Sequence, residues 1–315
     1  MTTYSFNFLR YRTICLLFSV AIFATFIGVY VYRMQTRGYA FTYSVDFTGG
    51  TQILFKFDQP INSEQLKGIL DKAGWSGAVL REFSKQETMV RIKEHAGDVT
   101  GTAERMRAAI QAAEPQNKIS ILQTDSVGAG TSEDLRWKSI KVLLLALLIM
   151  LAYIAWRFWS VSYGVGAIVA LFHDAMVILV CFLLLDKEIS VNVIGAILLI
   201  LGYSINDTIV IFSRIRDNVK ANPGKPIEAV VDASLNQTLT RTILTSLSTA
   251  LVVVSLILFG GESLSDLSIA LLVGIIFGTY SSIYIASPIM ILLNKKSGQT
   301  QTSSAPQQRY SQKTV

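Results

Sequence analysis

Six apolar runs, each long enough to cross a lipid bilayer, constrain this chain more than any other feature. The first is TICLLFSVAIFATFIGVYVY, residues 13–32. The others cover roughly residues 138–156, 161–185, 189–213, 242–259 and 264–293. At 1.5 Å per residue, each reaches across about 30 Å of hydrocarbon as an α-helix. The last is long enough to tilt or to run past the interface. Backbone in lipid must satisfy its own polar groups, so such runs fold as helices. Hydrophobic residues make up 51% of the chain and charged ones only 16%, which agrees with an integral membrane protein.

The first run exceeds the length of a signal-peptide core, and RMQTRG follows it in place of a small-residue cleavage site. Cys15 lies at the near end of the run, the wrong end for a lipoprotein anchor. The run reads as a retained transmembrane helix, with the N-terminal unit ending near residue 34. The only other cysteine is Cys181, and the two form neither a C-x-x-C nor a metal-ligand spacing. Both read as small buried hydrophobes, and no metal or cofactor is expected.

Between the first and second runs, residues 35–135 change character. TQILFKFD alternates Ile53, Phe55 and Phe57 with other residues and reads as a strand. NSEQLKGILDKAG has a cap at Asn62, Gln65 three residues on and Gly74 as a stop, so it reads as a helix. AVLREF and TMVRIK read as strands joined through SKQE. GTAERMRAAIQAAEP places Met106, Ala109, Ile110 and Ala113 at helical spacing, and KISILQ closes the unit as a strand. The order is β-α-β-β-α-β, the ferredoxin-like split pattern. The fold class is therefore a polytopic α-helical membrane protein of six spans with an α+β ferredoxin-like domain inserted between spans 1 and 2.

The net charge of +6 is read first as orientation. Arg10, Arg12, Arg157, Arg214, Arg216, Lys220, Lys225, Lys295 and Lys296 share one side if there are six spans. The loop at Asp186, the GGES loop and the folded domain take the other. Lys138 and Lys141 fall on the wrong side, flanked by Glu133 and Asp134. Both termini are expected in the cytoplasm and the domain outside. No basic stripe is interleaved with aromatics, so nucleic-acid binding is not expected. A membrane bundle is expected over residues 136–294. Within it, about 214–240 reads as an amphipathic segment, either lying on the cytoplasmic surface or simply connecting two spans. The Ser/Thr/Gln-rich tail, 295–315, reads as disordered.

Three charged residues sit within or at the edge of spans: Asp174, Asp207 and Arg241. A charge at the centre of a span costs about 2.5–3.5 kcal/mol on insertion scales, so each calls for a partner, water or a function. The fourth run leaves on the side from which the fifth enters, so Asp207 and Arg241 share a depth and could pair, the alternative being that each reaches to the interface. An arginine moving toward or away from a buried carboxylate makes it release or bind a proton. Gly202, Ser204 and Asn206 around Asp207, and Gly274 and Gly278 in a G-x-x-x-G, suit close helix packing. Asp174 and Asp207 also satisfy the minimum for an intramembrane aspartyl protease, but G-Y-S-I-N-D replaces the G-x-G-D such a site would carry.

These residues sit within motifs that resemble a known family. They are VDFTGG (45–50), VGAG (127–130), FHD (172–174), GYSINDTIVIFSRIRDN (202–218), TLTRTILTS (238–246), FGG (259–261) and GTYSSIYIASP (278–288). In this order they resemble the SecF branch of the SecD/SecF family of protein translocase subunits, within the RND transporter superfamily. The resemblance implies a bacterial inner-membrane subunit of the Sec export machinery, not an enzyme. It implies a heterodimer with SecD, working with the SecYEG channel, the SecA motor, YajC and an unfolded preprotein. It implies that the proton motive force drives late steps of translocation, with Asp207, Arg241 and Asp174 as a relay. The alternative is a structural subunit that stabilises SecD and the channel without ion coupling. Asp46, Gly49 and Gly50 are expected to form a hinge or a turn.

Overall fold

The computed structural model describes residues 6–82, 84–93 and 98–296; the expected disordered tail from residue 297 lies outside them. A short 3-10 turn, Phe8–Tyr11, is capped by the Asn7 side chain and leads into α1 (Arg12–Arg37). Gly38, at φ +77°, ends α1 in the left-handed conformation that favours glycine. Then come β1 (Thr42–Tyr43), α2 (Val45–Thr48), β2 (Gly50–Phe57), α3 (Ser63–Lys72), β3 (Val79–Glu82), β4 (Glu87–Ile92), α4 (Val99–Ala113) and β5 (Ile119–Val127). The rest is α5 (Ala129–Phe158), α6 (Val161–Leu184), β6 (Glu188–Ile189), α7 (Val191–Ala221), α8 (Ile227–Phe259), α9 (Glu262–Ser281) and α10 (Ser287–Lys296). A π-helical turn, Ser282–Ala286, joins α9 to α10 within the sixth span.

From β2 to β5 the order is β-α-β-β-α-β. The sheet runs β3-β4-β2-β5 with every neighbour antiparallel. Alternation along β2 turns Ile53, Phe55 and Phe57 to one face, where α3 brings Leu66 and Leu70 and α4 brings Met106 and Ile110. All seven are almost fully buried. Asn62 caps α3 by accepting from the Glu64 N–H at 2.9 Å, and Asp98 caps α4 from the Gly101 N–H at 2.9 Å.

Six helices among the described residues are long and apolar enough to cross a membrane. Their burial separates them. About half of the most apolar stretch is buried within the chain in α6 (56%), α7 (44%) and the sixth span (50%), against 6%, 6% and 11% for α1, α5 and α8. So α6, α7 and the sixth span form the centre, and the others present apolar faces outward. Gly274 and Gly278 set the α7–α9 approach. A Cβ on Gly274 would lie 2.4 Å from Ile200, and one on Gly278 would lie 3.0 Å from Ser204.

Three features differ from the sequence reading. The helix of the second span begins at Ala129 rather than near residue 136, because GTSEDLRWKS continues its pattern without a breaker. The amphipathic segment is not a separate surface helix. Its first part ends α7 at Ala221, and its second opens α8, a single helix of 33 residues with no interruption before the fifth span. No glycine or proline follows Pro226 until Gly260, so nothing breaks it. Finally, β1 and β6 pair in parallel as a second, two-stranded sheet.

Candidate functional site: two intramembrane carboxylates

Asp174 lies on α6 and is completely buried. The Ser204 hydroxyl on α7 donates to its Oδ2 at 2.6 Å, and the Ser281 hydroxyl at the end of α9 does so at 3.0 Å. Its Oδ1 is 3.3 Å from His173 Nδ1. On the far side of that ring, Nε2 meets Ser19 Oγ of α1 at 3.1 Å. Ser19 also lies 3.1 Å from the Tyr280 hydroxyl, which donates to the Cys15 carbonyl at 2.6 Å. One hydrogen-bonded chain therefore runs from the first span to the centre of the bundle. One turn away, Thr208 Oγ1 and Ser282 Oγ are 2.8 Å apart. Ser281 and Ser282 stand at the start of the π-helical turn, the kind of local widening common at functional sites.

Asp207 lies on α7, three residues beyond Ser204. It is 4% exposed, and among the described residues its Oδ2 is buried without a hydrogen-bond partner. The groove between α7 and α8 holds a cavity of about 420 Å³, lined by Val210, Ser213, Arg214, Gln237, Thr238 and Arg241 among others. Val210 is one helical turn beyond Asp207, roughly 4.5 Å along the axis. A polar cavity thus opens within a turn of an unsatisfied carboxylate.

Asp207 and Arg241, which could pair by depth, do not make a direct ion pair. No ion pair joins them within 4.0 Å among the described residues, and Arg241 is exposed on α8. Arg241 lines the α7–α8 cavity, whereas Asp207 lies one turn before its lining residue Val210. Asp174 and Asp207 share no hydrogen-bond partner either. Of the packing residues, Ser204 and Gly278 are at the centre, beside Asp174, and Gly274 packs on Ile200. Gly202 and Asn206 face outward, and nothing lies within 4 Å of a Cβ placed on Gly202. With Leu199 they form an open stripe on α7, because the 3.6-residue period carries these positions away from the core.

Sequence reasoning did not find Ser19 or Tyr280. A serine in the middle of the apolar first span was the available signal. The turn at VDFTGG is sharply defined. Gly49 has φ +72° and Gly50 φ +112°, and a Cβ on Gly50 would lie 2.4 Å from the Ile92 carbonyl oxygen. Asp46 Oδ2 accepts the backbone N–H of Val191, the first residue of α7, at 3.0 Å.

Residues 107–296, which contain both carboxylates and Arg241, match the profile of "Protein export membrane protein SecD/SecF, C-terminal". The chain belongs to the SecD/SecF family. Residues 40–61 match the "SecD/SecF GG Motif", which takes in Asp46, Gly49 and Gly50. The chain is 37% identical over 287 residues to the protein translocase subunit SecF of Thermodesulfovibrio yellowstonii, covering 90% of this chain and 91% of that one. It is 36% identical over 259 residues to the protein translocase subunit SecDF of Thermus thermophilus, covering 80% of this chain and 34% of that one. A crystal structure of SecDF from Thermus thermophilus, described as a translocon-associated membrane protein, superposes with a TM-score of 0.80 at 33% identity. It matches 92% of this chain, which spans 39% of the longer one.

Proposed function

We propose that this SecD/SecF-family protein is the SecF subunit of a bacterial protein translocase and that it uses the proton motive force to promote late steps of export. The observation that carries the reading is Asp207, a buried carboxylate with an unpartnered oxygen one turn from a cavity lined by Arg241. A proton reaching that cavity has a titratable group to bind, and a cation to displace or draw in. Asp174 is the second carboxylate of the relay, held ready by Ser204, Ser281 and His173. One charge crossing 100 mV releases about 2.3 kcal/mol. Reversing a 1:99 equilibrium takes about 5.5 kcal/mol, so a few protons per stroke suffice.

In this reading the β-α-β-β-α-β unit is a ferredoxin-like domain outside the inner membrane, and both termini are cytoplasmic. The basic end of α7, with Arg214, Arg216 and Lys220, supports that orientation. SecD covers the open stripe of Leu199, Gly202 and Asn206 on α7 and the exposed face of α8, where Gly and Asn suit a closely packed helix better than lipid. The fused SecDF of Thermus thermophilus supports a standing association with SecD. SecYEG, SecA, YajC and the unfolded preprotein complete the assembly.

The test separates ion coupling from a purely structural role. A subunit carrying both Asp207→Arg and Arg241→Asp is purified with SecD and assayed for gradient-driven export in proteoliposomes. Intact SecD association with lost gradient-driven export is the expected result. Full export by the charge-swapped protein would mean that the two residues serve packing alone.

A further inference from the structure

The loop Asp186-Lys187-Glu188 connects the third and fourth spans, and each of its residues is tied to a different part of the molecule. Asp186 pairs with Arg33 at 2.6 Å and Arg37 at 3.0 Å, both in the last turns of α1. Lys187 pairs with Asp266 of α9 at 2.9 Å. Glu188 pairs with Arg81 of β3 at 2.9 Å and Arg91 of β4 at 2.6 Å. The same two arginines grip backbone on either side. Arg81 donates to the Asp186 carbonyl at 2.9 Å, and Arg91 to the Tyr43 carbonyl at 3.0 Å. Glu188 is only 8% exposed, so its pairs are shielded from solvent and salt.

Backbone reinforces these charges. Glu188–Ile189 pairs in parallel with Thr42–Tyr43, and the Ser44 N–H donates to the Ile189 carbonyl at 3.0 Å. Two residues later α7 begins. Its first amide, Val191, donates to Asp46 Oδ2, while its own N-cap Ser190 takes the Val193 N–H. The Ser44 hydroxyl steadies Asp46 at 2.9 Å. A carboxylate at a helix N-terminus satisfies an otherwise open N–H and meets the positive end of the helix dipole. Asp46 belongs to the segment that enters the folded domain, so this cap comes from outside the helix that it closes.

We infer that Asp46 is a positioning residue for Asp207. With the Glu188 carboxylate and the Asp186 carbonyl it binds the folded domain to the start of α7, so that domain and helix move as one body. From Val191 to Asp207, α7 is continuous and lacks proline, and the carboxylate lies roughly 24 Å along it. A swing of the domain is thereby delivered to Asp207 as a shift of its helix, and a proton-driven shift is delivered back. The last step rests on the reading of Asp207 as the coupling carboxylate; the junction does not.

The test uses the full chain in lipid nanodiscs, in a Cys15→Ser, Cys181→Ser background. Spin labels at Lys72→Cys on the domain and Lys220→Cys at the far end of α7 report their separation. Hydrogen exchange at Val191 reports the cap. Asp46→Ala is expected to raise exchange at Val191 about tenfold. Asp46→Ala and Glu188→Ala are expected to broaden the distance distribution. Asp46→Asn, which keeps an acceptor oxygen, restores both readouts. Unchanged distances and exchange in the alanine variants overturn the junction, and failure of Asp46→Asn to restore them overturns the cap. In export assays, Asp46→Ala should lose the gradient-dependent component; a broadened distance with that component intact overturns the positioning role. Asp207→Asn is assayed alongside. If it exports normally, the functional reading fails, and distance and exchange still decide the junction.

Discussion

Glycine 274 shows how little space separates the helices that carry the chemistry. A Cβ there would sit 2.4 Å from Cγ1 of Ile200 and 2.6 Å from its Cγ2, which no side-chain rotation of a β-branched residue relieves. Gly274→Ala should therefore destabilise the bundle by about 1–3 kcal/mol, the usual cost of overpacking. In an Ile200→Ala background the same change should cost nothing further. Thermal unfolding of the four proteins of this cycle in one detergent is the check, and equal losses in both backgrounds would contradict the packing account. The spacing of Gly274 and Gly278 was readable in the sequence, because G-x-x-x-G has a simple steric meaning. The outward turn of Gly202 and Asn206 was not. Small and polar residues mark a helix contact but do not say whether the contact is within the chain.

Among the secondary-structure elements, legibility followed length and period. Strands β2 to β5 and helices α3 and α4 carry alternation, caps and stops, and their order was readable. The strands β1 and β6 are two residues each, too short for any period, so the junction they build was hidden. The carboxylate beside it has a defined pH response. Burial pushes the Asp186 carboxyl up, but hydrogen bonding and charge from Arg37 and Arg33 outweigh this and hold it below its ordinary value. A lowered folded-state value means that the stabilisation is complete above the unfolded value of about 3.9 and is lost as pH falls through the folded one. The separation of α1 from this loop should stay constant between about pH 5 and 8 and change only below about pH 4. Distance measurements between labels on the two elements test this; a transition near neutral pH would contradict it.

For the molecule as a whole, the six apolar runs made the six membrane-capable helices legible, since lipid leaves few other solutions for such sequences. The site was half legible. Asp174, Asp207 and Arg241 stood out because charges are rare in spans. That Asp174 joins a hydrogen-bonded chain to Ser19, while Asp207 stays outside it one turn before a separate cavity, depends on helix rotations that no local pattern encodes. The molecule thus carries two distinct carboxylates on one central helix pair, with the folded domain tied to the loop that joins the pair. The central claim is that Asp207 couples export to the proton gradient. It is tested most directly by measuring export into inverted vesicles, with and without a protonophore, for the parent protein and for Asp207→Asn. The parent should lose a component of export when the gradient is collapsed, and Asp207→Asn should lack that component while still binding SecD. A gradient-sensitive component of equal size in Asp207→Asn would contradict the account.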